Sequence, residues 1–303
     1  MKVAECVSRA EVVPSGYRGR PWDALVLDQA IKDRLMHQAL LSLHIRQRLP
    51  FEVTALHGLI TLYGPPGTGK TTLARGLAGE LAEYVSGNQV RLIEVNPHGL
   101  MSAEHGLSQQ RVTELLAEYV PQLADDGMPT VVVLDEVESM TVARSAASLS
   151  ANPADVHRAT DAVLTALDDN AVKYPHLLVV ATSNFTDTLD SAFLSRSDTA
   201  ILVPMPTVPA VAQILATTLR AFAVLDPALG QLAESALLNR VAAQLDGIDG
   251  RQARKFITEA MSRRLETVLN PGVLTGADLL AAAEDWARGR AGLQHQGERH
   301  AAA

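Results

Sequence analysis

The sequence predicts an α/β protein, with a parallel sheet flanked by helices and a small C-terminal helical domain. Three observations carry that prediction. Short apolar runs alternate with helix-period segments as far as the proline-marked stretch "VPMPTVP". The first of these runs feeds a complete phosphate-loop signature, "GPPGTGKT", Gly64 to Thr71. After "VPMPTVP" no further apolar run appears and only helical patterns continue.

Residues 1–20 end in "PSGYRGRP" and show no clear period, which predicts an arm. Leu27, Ile31, Leu35, Ala39 and Leu43 repeat every four residues, so Leu25 to Leu49 reads as a helix with one apolar face. "LHGLITLYG" is a buried strand running into glycines, and "TTLARGLAGEL" returns to helix with Leu73, Leu77 and Leu81 on one side. "VRLIEVN" is the second strand, residues 108–119 a helix, and "TVVVLDE" the third strand. "HRATDAVLTALDD" is helical, "HLLVVATSN" is the fourth strand and "TAILVPMP" the fifth. Strands separated by helices imply a parallel sheet covered on both faces.

A domain boundary is expected near 207, marked by Pro204, Pro206 and Pro209. Beyond it, "AVAQILATTLRAFAVL", "ESALLNRVAAQL", "RQARKFITEAMSRRLETVL" and "GADLLAAAEDWARG" read as four helices. In the third, Phe256, Ile257, Ala260, Met261 and Leu265 make one face. The expected division is an arm at 1–20, a large domain at 21–207, a helical lid at 208–290 and a polar tail at 291–303.

The 303 residues suffice for a large domain and a lid. Hydrophobic residues make up 47% and aromatics only 4%, so the core must rest on Leu, Ala, Val and Ile. A formal net charge of −8 argues against nucleic-acid binding through bulk charge. The single cysteine, Cys6, excludes an internal disulfide and a Cys-based zinc site. No apolar run approaches a membrane span and no signal-peptide core is visible, so a soluble cytoplasmic protein is expected.

The chemistry gathers in three motifs. Backbone N–H groups of a Gly-rich loop and a helix N-terminus suit phosphates, so Gly64, Pro65, Pro66, Gly67, Thr68, Gly69, Lys70, Thr71 and Thr72 are expected to cradle ATP. Lys70 supplies a point charge to the β/γ-phosphates and Thr71 a hydroxyl to Mg²⁺. In "VVVLDEVES", Asp135 ends a strand, where it holds Mg²⁺, and Glu136 follows as the group that polarises an attacking water. In "ATSNFTDTLDSAFLSRSD", Asn184 ends a strand beside those acids, as a sensor of the water or γ-phosphate. Arg196 lies too far along to serve its own site and suits a neighbouring subunit's nucleotide, with Arg144 and Arg158 the next candidates. In "GIDGRQARKF", Arg251 or Arg254 is placed to reach back to the γ-phosphate.

Together these motifs resemble the AAA+ ATPases, and more narrowly the pachytene checkpoint ATPases that remodel HORMA-domain proteins. "WDALVLDQAIKDRLMHQALLSL", "LDEVESMTVAR", "RATDAVLTALDD", "TSNFTDTLDSAFLSRSD" and "GIDGRQARKF" carry the likeness, over roughly residues 20–270. The resemblance implies an ATP- and Mg²⁺-dependent homo-hexamer acting on a HORMA-domain partner. The short arm points to a minimal bacterial-type member. For such members the resemblance implies disassembly of a HORMA–nucleotidyltransferase complex, which holds cyclic-oligonucleotide antiviral signalling off. It also implies substrate-gripping pore loops. Here the first loop offers Leu100, Met101, His105 and Leu107 and no aromatic residue, and residues 141–157 would form the second. Two readings from other classes stand beside this one. A nucleic-acid motor is opposed by the acidic balance, and a metabolic kinase by the Asp135–Glu136 pair.

Overall fold

A computed structural model describes residues 3–14, 21–96, 100, 107–141, 153–184 and 189–301. The chain divides into two compact units, residues 1–65 with 69–203, and residues 66–68 with 204–303.

The first unit is built on six strands: β1 (Val7–Pro14), β2 (Leu59–Tyr63), β3 (Gln89–Val95), β4 (Thr130–Leu134), β5 (Leu177–Ser183) and β6 (Thr199–Leu202). They lie in the order β1-β3-β4-β5-β2-β6. β2 to β6 are parallel, and β1 pairs antiparallel with β3 at the edge. The five parallel strands are those the sequence predicts. β1 is an addition, falling inside the stretch expected to be an arm. Its pattern is almost wholly exposed, with only Val13 buried, so it carries no apolar period to read. An edge strand solvated on both faces leaves no alternation, and its place is set by backbone pairing to β3.

Strand residues alternate between two cores, as period-two geometry requires. Ile60, Leu62, Val131, Val133, Leu178 and Val180 face one way. There they meet Leu35, Ala39 and Leu43 of helix α1 (Gln29–Arg46) and Leu73, Leu77 and Leu81 of helix α2 (Lys70–Leu81). Leu59, Val132, Leu134, Val179 and Ala181 face the other way. They pack on Val112 of helix α3 (Leu107–Thr113), on Val163 and Leu167 of helix α4 (Pro153–Lys173), and on Phe193 of helix α5 (Ser191–Arg196). α3 runs on through a π-helical stretch, Glu114–Tyr119, into Val120–Leu123. Pro121 has no N–H to donate to the preceding turn, which fits the widened turn there.

The second unit is helical: α6 (Val208–Phe222), α7 (Pro227–Ala233), α8 (Leu237–Gln244), α9 (Gly250–Met261) and α10 (Gly276–Ala301). α7 was not anticipated; Pro227 at its first turn follows Asp226, whose side chain caps Ala228 N. The expected single helix over 251–269 is two. α9 ends at Met261 and a short helix resumes at Leu265. Phe256, Ile257, Ala260 and Met261 are buried as expected, but Leu265 is 72% exposed, because the break turns it off that face.

Candidate functional site

The site follows from the parallel register. Tyr63 of β2 pairs with Ser183 of β5, so the phosphate loop that leaves β2 and the Asn184 that leaves β5 emerge side by side. Leu134 of β4 pairs with Ala181, which brings Asp135 and Glu136 to the same edge. Carboxyl ends of neighbouring parallel strands form the usual ligand crevice of such sheets.

Gly64 to Gly69 link β2 to α2, and α2 begins at Lys70. Gly69 sits at φ 98°, and a Cβ there would run into the Leu25 side chain, so the loop needs glycine both for backbone and for space. Lys70 is buried and its Nζ donates to the carbonyls of Gly64 and Pro65, 2.8 Å each. Burial lowers its pKa, while Glu138, Asp135 and Glu136 oppose that shift, in that order. Thr72 follows in the first turn of α2, half-buried like Thr71.

Asp135 Oδ1 accepts two hydroxyl hydrogen bonds of 2.6 Å, from Thr71 Oγ1 and Thr182 Oγ1. The Thr182 hydroxyl in turn accepts the Glu136 N–H at 3.1 Å. Glu136 holds a left-handed backbone, φ 51°, ψ 52°, which costs a non-glycine residue and persists only where neighbours fix it. The Asn184 side-chain amide donates to Glu136 Oε1 at 3.5 Å, and its backbone N–H donates to Glu138 Oε1 at 3.1 Å. Glu138 Oε2 is buried and has no hydrogen-bond partner among the described residues. Among the described residues, no three His, Cys, Asp or Glu side chains form a metal cage. The Thr71 hydroxyl and Asp135 carboxylate are hard oxygen donors, the kind Mg²⁺ takes when substrate phosphates and water complete its shell. The donor set therefore fits Mg²⁺.

Glu138 and Thr182 were not singled out from sequence. A signal for Thr182 exists: it lies two residues before Asn184 on a strand, so the two share a face. An acid in a one-turn segment carries no comparable mark.

Arg196 lies at the opposite edge of the sheet. It ends α5, just before β6, and Thr199 of β6 pairs with Ile60 near the start of β2. Five residues of β2, about 16 Å of extended chain, separate that edge from the phosphate loop. Its Nε and Nη2 donate to the two carboxylate oxygens of Asp168, 2.7 Å each, and Nη1 donates to the Ala192 carbonyl at 2.9 Å. The guanidinium holds the Asp168 carboxyl below its usual range. His57 Nε2 also lies 3.2 Å from Asp168 Oδ1. Arg158 is exposed on α4, and Arg144 lies outside the described residues.

Arg251 is exposed in the first turn of α9, whose N-terminus is capped by Asp249 through the N–H groups of Arg251 and Gln252, 2.8 Å each. Arg254 is exposed one turn on. Of the expected pore-loop residues, Met101 and His105 lie outside the described residues, as do 142–152 of the second loop. Leu107 opens α3, half-buried. Leu100 requires a correction: it is fully buried in the sheet–helix core, so its side chain has no surface with which to grip a substrate.

Residues 60–205 match the family model described as ATPase family associated with various cellular activities (AAA). The chain is 44% identical over 276 residues to CD-NTase-associated protein 6 of Pseudomonas aeruginosa, covering 91% of this chain and 90% of that one. It is 29% identical to the human pachytene checkpoint protein 2 homolog over 88% of this chain and 67% of the relative. Its fold matches the solved structure of C. elegans PCH-2 with a TM-score of 0.71 at 20% identity, covering 94% of this chain and 76% of that one. A chain of the E. coli MS115-1 HORMA:CdnC:Trip13 complex matches with the same TM-score at 18% identity, over 94% and 97% of the two chains.

Proposed function

Because the chain belongs to the family of ATPases associated with various cellular activities, in the branch of CD-NTase-associated protein 6 and the pachytene checkpoint protein 2 homologues, we propose that it hydrolyses ATP to remodel a HORMA-domain protein complex. The observation that carries the hydrolytic half is the Asn184 amide lying against the Glu136 carboxylate, beside Asp135 and the phosphate loop. A kinase has no use for this second, aimed acid. In hydrolysis Glu136 takes the proton of the attacking water, and Asn184 orients the carboxylate and the water. Lys70 exchanges its two loop carbonyls for β/γ-phosphate oxygens, and the loop N–H groups hold the remaining phosphate charge. Thr71 and Asp135 would hold Mg²⁺, which would supply charge neutralisation to the phosphates. Arg251 or Arg254 of the second unit acts as the lid's sensor of the γ-phosphate.

The partner comes from the relatives. One is named for association with a CD-NTase, and a fold neighbour was solved in a HORMA:CdnC:Trip13 complex. We assign this chain a bacterial HORMA protein and its nucleotidyltransferase as partners, a homo-hexameric ring as its working form, a cytoplasmic location and a negative role in antiviral signalling. No helix among the described residues is long and apolar enough to cross a membrane, which agrees with that location.

The Glu136→Gln variant tests both halves. It should bind ATP as tightly as the parent, hydrolyse it at least about 100-fold more slowly, and retain the HORMA partner in an ATP-dependent pull-down. Parental turnover would remove Glu136 from the chemistry. Slow turnover with no partner retained would leave an ATPase of another substrate class.

A further inference from the structure

Thr182 bears on both acids of the site, and its sequence position gives it no motif role. It is 1% exposed, inside the all-buried strand β5. A threonine so buried must have its hydroxyl satisfied, and its partners here are unusual. It donates to Asp135 Oδ1 at 2.6 Å and accepts from the backbone N–H of Glu136 at 3.1 Å. One hydroxyl thus uses its proton on the acid expected to hold Mg²⁺ and its lone pair on the acid expected to activate water.

The second bond matters more. Glu136 N–H is the donor of a residue held at positive φ, a conformation uncommon for a non-glycine residue. The direction of the Glu136 side chain follows from that backbone. If the turn relaxed to an ordinary negative φ, the carboxylate would swing away from Asn184, whose amide meets it at 3.5 Å. Thr71 reaches the same Asp135 oxygen from α2, so Asp135 keeps one hydroxyl partner without Thr182, whereas the Glu136 N–H would lose the Thr182 hydroxyl that accepts from it at 3.1 Å.

We infer that Thr182 is a positioning residue for hydrolysis: its hydroxyl fixes the left-handed turn at Glu136 and so aims the water-activating carboxylate at the γ-phosphate. The inference rests on the ATPase reading above. It predicts a specific kinetic pattern. Ground-state nucleotide binding uses the loop and Lys70, which Thr182 does not touch. Aim is needed only when water attacks.

The test uses the full chain with Mg²⁺-ATP, measuring phosphate release and, separately, binding of a fluorescent ATP analogue. Thr182→Val keeps the shape and removes the hydroxyl. It should lower kcat at least about 30-fold while changing KM less than about threefold. Thr182→Ser restores the hydroxyl and should return kcat to within about threefold of the parent. In a Glu136→Gln background, Thr182→Val should cost less than about threefold more, because there is no longer a carboxylate to aim. A loss of affinity at unchanged kcat, or a full further loss in the Gln background, would overturn the inference. So would a serine variant as slow as the valine variant. If the valine variant does not fold, the serine variant decides alone, its parental rate supporting the inference and a large loss opposing it. A parent protein that releases no phosphate removes the ATPase reading itself, and this inference with it.

Discussion

At the scale of residues, the gathering of Lys70, Thr71, Asp135 and Glu136 at one end of the sheet was legible from motif spacing. The loop signature must follow a strand, and an acidic pair must end one. Glu138 was hidden because a single acid is common in structural roles, and Thr182 offered only its shared strand face with Asn184, a mark that many structural threonines carry. Glu138 has a measurable consequence. It heads the carboxylates that oppose the burial-lowered pKa of Lys70. Lysine binds phosphate as its cation, so ATP affinity should fall as pH rises through the free protein's Lys70 pKa, which lies below the ordinary 10.5. Glu138→Gln removes the opposing charge and leaves an acceptor for Asn184 N–H. The fall in affinity should therefore begin at lower pH in the variant, and the two proteins should converge at neutral pH or below. Titrating a fluorescent ATP analogue from pH 7 to 10 checks this; coincident curves would mean that Glu138 does not act on Lys70.

At the scale of elements, the parallel strands were legible because both their faces are buried, which leaves continuous apolar runs in the sequence. β1 was not, because its side chains are almost all solvated and its place is set by backbone pairing to β3. The break after Met261 was missed because "SRRLETVL" keeps good helix formers through it. Helix α2 offers a test of packing against propensity. Gly76 lies in its interior, where Gly→Ala should gain about 1 kcal/mol. A Cβ there would stand 2.9 Å from the Trp22 backbone nitrogen and 3.0 Å from its Cβ. Backbone cannot step aside as a side chain end can, and overpacking of this kind costs about 1–3 kcal/mol. Gly76→Ala should therefore be neutral to destabilising, and Gly76→Val clearly destabilising, by about 2–3 kcal/mol or more. Because the Trp22 turn leads into Leu25, which packs under Gly69, the valine variant should also bind ATP more weakly. Urea midpoints and nucleotide titration measure the two effects; a stabilised Gly76→Val protein would mean that the turn is not fixed against α2.

At the scale of the whole molecule, the first unit presents two chemical edges. The carboxyl ends of the strands carry the phosphate loop, Glu136 and Asn184. The other edge carries a buried charge network: Arg46 donates to the carbonyls of Leu177, Ala171 and Tyr174, and burial lowers its pKa to about 10. Beside it Asp198 accepts from His57 N, Gly58 N and Ser42, while burial raises its pKa. Arg196 is tied into this edge through Asp168 and so cannot serve its own site. If it serves catalysis at all, it serves another chain's, in a head-to-tail ring where each loop meets the next subunit's far edge. Sequence supplied the arginine but not that geometry, which depends on where β6 starts relative to β2. Pure Arg196→Ala protein should lose about 10³-fold in turnover, and Lys70→Ala protein should be inactive because it binds no nucleotide. Mixed in equal amounts, the two should recover about a quarter of parental activity, since about that share of interfaces in a head-to-tail ring joins an intact loop to an intact arginine. A finger acting within its own chain predicts no recovery, because every subunit then carries a lesion. Full turnover by pure Arg196→Ala protein would leave Arg196 as a structural partner of Asp168 and move the search to Arg158 on the exposed face of α4 and to Arg144.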